Sequence, residues 1–381
     1  MLQTTDTAIA PARASAGQTN EALPPVIMVG GFPPPMNGAA KNNLALSVLI
    51  QQRGMNVVRF DTSGTATSHA RNRSYYTERL QRNAEAAMGL FRQKASSSFY
   101  TVPDGGLGLL YSTVIVALAT MRFPRMVVHH RTYSYIDRSS PLMKTIVALT
   151  RRRSMHVFLS PSMKERFEQR YGEVRSLVAS NAYFLPPPRP VVDVAAASGP
   201  KTIGHLSNLC AEKGFFDVAD TFEELIRRGA DVNLALAGPV IESAVQERLD
   251  KLKATYGARV FHAGPVNGEE KFKFLAGVDV FLFPTRYRLE AEPNVVLEAL
   301  SSGIPVVAFD RGAMRDIIGS QDGFVVGVED DFARKAADWI SALFESDDAG
   351  RRAGITERTA VKIAAATTAY EGLFSYLAGR G

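Results

Sequence analysis

Strand-length apolar runs alternate with helix-length segments along almost the whole chain, and that alternation restricts the fold more than any other feature. PVIMVGGF, NVVRFDT, SSSFYTV, RMVVHH and MHVFLSPS read as strands in the first half. The stretch NNLALSVLIQQRG sets Leu44 and Val48 one helical turn apart and places Gly54 as its C-terminal stop. In the second half KTIGHLSNL, DVNLALAG, RVFHAG, DVFLFPT and IPVVAFD repeat the pattern. FFDVADTFEELIRRG between them is a helix with Phe215, Phe222 and Ile226 on one side. Strands alternating with helices imply an α/β architecture with parallel sheets.

The most apolar uncharged run, Gly105 to Met121, lies between two strand-like segments. It is short for a bilayer and opens on two glycines, so it is expected to be a buried crossover helix rather than a membrane span. Near the middle of the chain, FLPPPRPVVDVAAASGP carries five prolines and no helical period, which marks a linker. The organisation expected is a disordered leader over 1–24, a first Rossmann-like domain over 25–184, a linker over 185–200 and a second Rossmann-like domain over 201–365. Sheets of this kind bind ligands at the C-terminal ends of their strands, so the two are expected to face each other across a cleft. A length of 381 residues suits two domains of roughly 150 residues each.

Charge is unevenly distributed. Residues 1–190 hold 23 lysines and arginines against 10 aspartates and glutamates, and the remainder holds 21 against 28. The basic half is expected to meet something anionic, and nucleic acid, anionic lipid headgroups and a lipid-linked diphosphate all qualify on charge. The single cysteine, Cys210, rules out an internal disulfide and fits a reducing compartment. Residues 1–24 lack a charged start followed by an apolar core and do not read as a signal peptide.

The segment RYRLEAEPNVVLEALSSGIPVVAFD carries the chemistry. Glu290 and Glu298 lie eight residues apart with Pro293 between them. Proline suits the first turn of a helix, which places Glu290 in the preceding loop and Glu298 in the second turn. The amides of Asn294, Val295 and Val296 are then expected to be open and to form an anion site that fits a diphosphate. Carboxylates repel phosphate, so Glu298 is assigned to ribose hydroxyls and Glu290 to a sugar hydroxyl.

From Glu290 to Ala299 these residues resemble the E-x7-E signature of the retaining GT4 glycosyltransferases, including its Pro-Asn centre. Further pieces resemble that family in the same order: AGVDVFLFPT before the signature, SGIPVVAFDRGAMRDII after it, SNLCAEKG as a basic diphosphate loop and GFPPPMNGAA as the loop ending the first strand. The resemblance spans about residues 25–380. It implies the GT-B fold, with acceptor on the first domain, nucleotide sugar on the second, and a C-terminal helix over 366–381 crossing back to the first. Sugar transfer would retain anomeric configuration. The co-substrate would be a UDP- or GDP-linked sugar, with no separate cofactor.

Carried over residue by residue, Lys213 matches the lysine that neutralises the donor diphosphate, whereas Asn208 stands where the family has an arginine. Arg286 or Arg288 is the candidate to replace that charge. Asn37 and Gly38 occupy the loop where the family often has two glycines; Pro33 to Pro35 stiffen the approach in extended form, and Gly38 lets a ligand come close. His129 and His130 end a strand where the family often places a histidine beside the transferred sugar. Adjacent strand residues face opposite ways, so one of the two lines a cleft, and His130 is the preferred candidate. No metal site is expected: Glu329, Asp330 and Asp331 read as helix capping, and the histidines lack ligand spacing. No nucleic acid is expected. The setting implied is assembly of a surface or exopolysaccharide on a lipid-linked saccharide, at the inner face of the cytoplasmic membrane.

Three alternatives follow from the same residues. A dinucleotide oxidoreductase needs a G-x-G-x-x-G turn, which GGFPPPMNG does not supply. Asn208 leaves an inactive GT-B-like scaffold open, and the retained Glu290, Glu298 and Lys213 argue against it. A phosphorylase or sugar-phosphate synthase would use the same fold.

Overall fold

A computed structural model of the chain describes residues 23–34, 38–64, 73–151, 153–186, 199–346 and 350–380. It divides into two compact units: residues up to Phe184 with those from Ala364 onward, and Leu185–Ile363. Most of the expected leader and most of the linker lie outside the described residues, as does Asn37.

The first unit runs β1 (Val26–Gly30), α1 (Gly38–Gln52), β2 (Val57–Asp61), α2 (Arg73–Phe91), β3 (Ser98–Thr101), α3 (Leu109–Arg122), β4 (Arg125–His129), α4 (Ser134–Asp137), α5 (Pro141–Thr150), β5 (Ser154–Phe158), α6 (Pro161–Tyr171) and β6 (Ser176–Val178). Its sheet has the order β2-β1-β3-β4-β5-β6, all parallel. The second unit runs β7 (Lys201–Leu206), α7 (Phe215–Arg227), β8 (Val232–Ala237), α8 (Ser243–Tyr256), β9 (Val260–His262), α9 (Gly268–Ala276), β10 (Val280–Phe283), α10 (Asn294–Ser301), β11 (Val306–Phe309), α11 (Met314–Ile317), β12 (Gly323–Val326) and α12 (Phe332–Glu345). Its sheet has the order β12-β11-β10-β7-β8-β9, again all parallel. A last helix, α13 (Arg351–Leu377), belongs to the second unit up to Ile363 and to the first from Ala364.

Every strand expected from the sequence forms. β6 and β12 do not announce themselves there, being short and only partly buried. Gly54 stops α1 with φ of 81°, a left-handed value that costs glycine little. The buried stripe of α1 is Asn43, Leu46, Ser47 and Ile50, so Leu44 and Val48 sit to its side, half-buried. In α7 the buried face is Phe215, Val218, Phe222 and Leu225, with Ile226 at its margin.

The run from Gly105 to Met121 is indeed a crossover between β3 and β4, but it is not fully buried. α3 turns Leu109, Ile115, Val116 and Ala119 inward and leaves Leu110, Val114 and Met121 exposed. No helix among the described residues is long and apolar enough to cross a membrane. Tyr370, Leu373, Phe374 and Leu377 of α13 join Val26, Met28, Leu46, Tyr100 and Val127 in the core of the first unit. Burial of each such large apolar side chain contributes about 1.5–3 kcal/mol.

Candidate functional site

In the second unit the chain order reverses between β7 and β10, which are neighbours in the sheet. A reversal leaves a crevice at the strands' C-terminal ends, because the connections on its two sides run to opposite faces. The loop after β7 carries Asn208 and Lys213, and the loop after β10 carries Glu290. Topology therefore brings together residues 77 positions apart: Lys213 Nζ donates to Glu290 Oε2 at 2.5 Å. The Lys213 ammonium also lies 4.7 Å from the centre of the Tyr287 ring.

Two glycines make this closeness possible. Gly214 has φ of 81°, and a Cβ there would stand 2.0 Å from the Pro284 carbonyl oxygen. Gly312 has φ of 58°, and its Cβ would meet the carbonyl oxygens of Glu290 and Ala291 at 2.5 Å. The Ala313 amide then donates to Ala291 O at 2.8 Å, fixing the glutamate loop against the loop after β11.

Glu290 lies in a loop and Glu298 is the fifth residue of α10, in its second turn. Pro293 is the N-cap residue rather than part of the first turn. Its carbonyl accepts from the Val296 amide at 3.2 Å, so the helix start offers a narrower set of donors than the three expected. Glu298 is buried and accepts a short hydrogen bond from Lys271 Nζ, on α9. Both signature glutamates are thus ion-paired to lysines. Each pair cancels a charge that would repel a phosphate, and each ammonium has further N–H groups to donate.

Asn208 is exposed, and its carbonyl accepts from Ser207 Oγ at 3.0 Å. Arg286 does not replace the missing arginine charge freely: its Nε and Nη2 donate to Asp217 at 2.9 and 2.6 Å. Arg288 is exposed and makes no ion pair among the described residues. Beneath the Asn208 loop, His205 is buried between Leu282 O and Ser207 Oγ, and burial lowers its pKa to about 4.

The histidines of the first unit face opposite ways, and both are buried. The preference for His130 as the cleft residue is corrected by its hydrogen bonds. Thr150 Oγ1 donates to Ile146 O at 2.7 Å and must accept from His156 Nε2 at 3.1 Å. His156 Nδ1 then accepts from His130 Nε2 at 2.9 Å, and His130 Nδ1 accepts from the Tyr135 hydroxyl at 3.0 Å. Both nitrogens of His130 are spent inside the fold, and its ring stacks on Phe158. Burial lowers the pKa of His156 to about 4 and that of His130 well below the ordinary value, so the chain is made of neutral rings. His129 instead uses only Nδ1, which pairs with the Tyr100 hydroxyl at 2.7 Å.

Gly38 opens α1 with ordinary φ, and a Cβ there would meet no atom within 4 Å, so the fold itself does not require glycine. The Pro33–Pro34 peptide is cis, where an extended trans run was expected. Asp331 caps α12, accepting from the Arg334 amide at 3.1 Å, as its position before that helix predicted. The residue that sequence reasoning missed is Lys271. It differs from Lys273 in no local signal, and only the packing of α9 beside α10 selects it.

Two six-stranded parallel sheets, one in each unit, give the chain the GT-B fold. Residues 200–345 match the family model Glycosyl transferases group 1. A stretch of 126 residues is 27% identical to the Staphylococcus aureus capsular polysaccharide biosynthesis glycosyltransferase CapM. That match covers 32% of this chain and 32% of CapM, about a third of that protein's length. Among solved structures, Anabaena Alr3699/HepE in complex with UDP superposes with a TM-score of 0.67 at 16% identity, covering 92% of this chain and 100% of that one. Sucrose-phosphate synthase from Thermosynechococcus elongatus gives 0.66 at 17% identity, covering 92% and 99%.

Proposed function

We propose that the chain transfers a sugar from a nucleotide diphosphate donor to a saccharide acceptor, with retention of configuration and without a metal. The observation that carries this is the pairing of Glu290 with Lys213 and of Glu298 with Lys271 at the sheet reversal. In this reading Glu298 accepts from ribose hydroxyls, and Glu290 from a hydroxyl of the sugar. Departure of the nucleoside diphosphate concentrates negative charge, and Lys213 stabilises it most where that charge is largest. Lys271 lies close enough to Glu298 to hold the carboxylate in position. A UDP-linked donor is preferred over a GDP-linked one, since solved neighbours were obtained with UDP and with UDP-glucose.

The acceptor proposed is a lipid-linked saccharide of surface polysaccharide assembly, in keeping with the capsular role in CapM's name. The enzyme would then work at the inner face of the cytoplasmic membrane. Support comes from adjacent helices of the first unit. α2 exposes Tyr76, Leu80, Met88 and Phe91 along one stripe, and α3 exposes Leu110, Val114 and Met121. Exposed Arg92 and Lys94 follow α2 directly. An apolar stripe with cationic residues at its end suits the interface of an anionic bilayer.

The deciding experiment is calorimetric titration of the full chain with UDP, GDP and NAD, repeated on Glu298→Ala. UDP binding that this substitution weakens at least about tenfold supports the donor site. Binding of NAD alone overturns it.

A further inference from the structure

Arg131 follows β4 by two residues and is buried, with 9% of its surface exposed. Its Nε, Nη1 and Nη2 have no solvent contact and meet no acceptor in good hydrogen-bond geometry, the Tyr100 hydroxyl being the polar group beside the guanidinium, and among the described residues no carboxylate pairs with it. The guanidinium lies 5.8 Å from the centre of the Phe184 ring. Next to it His129 Nε2 is likewise buried and unpartnered.

An arginine in this position is costly. Burying an ion without a counter-charge costs several kcal/mol, and arginine cannot relieve the cost by shedding its proton. Two buried histidines nearby follow the opposite rule: His130 and His156 are neutral and fully hydrogen-bonded. Packing alone therefore does not account for Arg131, because an apolar side chain of the same length would fill the space at less cost.

We propose that the first unit holds a built oxyanion site in which the Arg131 guanidinium and His129 Nε2 together take a phosphate or carboxylate group of a ligand. A planar guanidinium with one edge towards the Tyr100 hydroxyl and its remaining donors unused matches the two oxygens of either group. The Tyr100 hydroxyl sets the histidine. The charge of Arg131 beside the phenol favours Tyr100 oxygen facing the guanidinium and its proton facing His129 Nδ1. His129 then carries its own proton on Nε2 and presents it as a donor. Burial and the nearby Arg131 lower the pKa of His129, which keeps the ring neutral and avoids a second buried cation. The site makes the ligand's acidic group the feature recognised, so an uncharged analogue of the same ligand is discriminated against. This goes beyond the donor reading and does not depend on it.

The nitrogens are enclosed, so ligand entry requires surrounding chain to give way and the test must be made at equilibrium. The full chain is titrated calorimetrically with pyrophosphate, inorganic phosphate and glucuronate at matched ionic strength, and the same titrations are run on Arg131→Met and Arg131→Gln. Expected is saturable binding to wild type that weakens at least tenfold in either variant, together with an unliganded Arg131→Met melting no lower than wild type. Preference for pyrophosphate or phosphate assigns a phosphoryl group, and preference for glucuronate an acidic sugar. Absence of binding by wild type to all three probes overturns the site, even if neither variant folds, and so does equal binding by wild type and a folded variant. A parallel UDP titration separates the two readings: a chain that binds the probes but not UDP keeps this site and loses the donor reading, and the reverse result does the opposite.

Discussion

Lys213 and Glu290 stand 77 residues apart in sequence and 2.5 Å apart in space, joined across the reversal between β7 and β10. The pair is partly buried, with side-chain exposures of 25% and 13%, so it is held in place while keeping access for a ligand. In the proposed function Lys213 acts on charge that grows during the reaction. Lys213→Ala is therefore expected to lower kcat by about 100- to 1000-fold with a smaller change in KM. Steady-state kinetics on a UDP-sugar checks this, and a rise in KM with kcat unchanged would assign the lysine to binding alone.

Glu298 should act the other way. In the proposed function, removing it deletes a charged acceptor for ribose hydroxyls, worth roughly 1.5–3 kcal/mol. Glu298→Ala is expected to weaken UDP binding by about 10- to 100-fold while the fold survives. Unchanged affinity by calorimetry would free Glu298 from the donor site.

Gly214 offers a test of the scaffold behind the site. A methyl group there would sit 2.0 Å from Pro284 O, on backbone already at a φ of 81°. Gly214→Ala is expected to cost at least about 2 kcal/mol and to lower the melting temperature by several degrees. Activity should fall with it, because the same shift moves Lys213 away from Glu290. An unchanged melting temperature would contradict the close approach.

Acidification should weaken the fold in a defined window. His156 and His205 have folded pKa values of about 4, against about 6.5 for an unfolded histidine. Between those values the unfolded chain binds more protons than the folded one. The stabilisation is complete above about pH 6.5 and is lost as pH falls towards 4, by up to about 3 kcal/mol for each histidine. His129 and His130 act in the same direction. Urea midpoints measured from pH 7 to 4.5 should fall steadily, and a flat profile would mean that these rings are solvated.

The apolar stripes of α2 and α3 predict membrane behaviour. Flotation with vesicles containing anionic lipid should recover the wild-type chain and lose most of it when Leu110, Val114 and Met121 are replaced together by serine. Recovery should also decline with salt, because exposed charges such as Arg92 and Lys94 are screened. Equal recovery of both proteins would remove the bilayer from the proposed function.

What the sequence determined was whatever depends on local order. Alternating apolar runs specified parallel strands and helices, Gly54 and Asp331 marked helix boundaries through their own backbone and side-chain chemistry, and the spacing from Glu290 through Pro293 to Glu298 placed one glutamate in a loop and the other in a helix. What the tertiary structure decided was every feature that depends on strand order and on which face a side chain takes. The choice of Lys271 over Lys273, the commitment of Arg286 to Asp217, the enclosure of His130 in a neutral hydrogen-bond chain and the exposed half of α3 all arise from contacts between distant segments. Local propensity carries no information about those partners, because a side chain's environment is fixed only when the sheets and their covering helices are assembled.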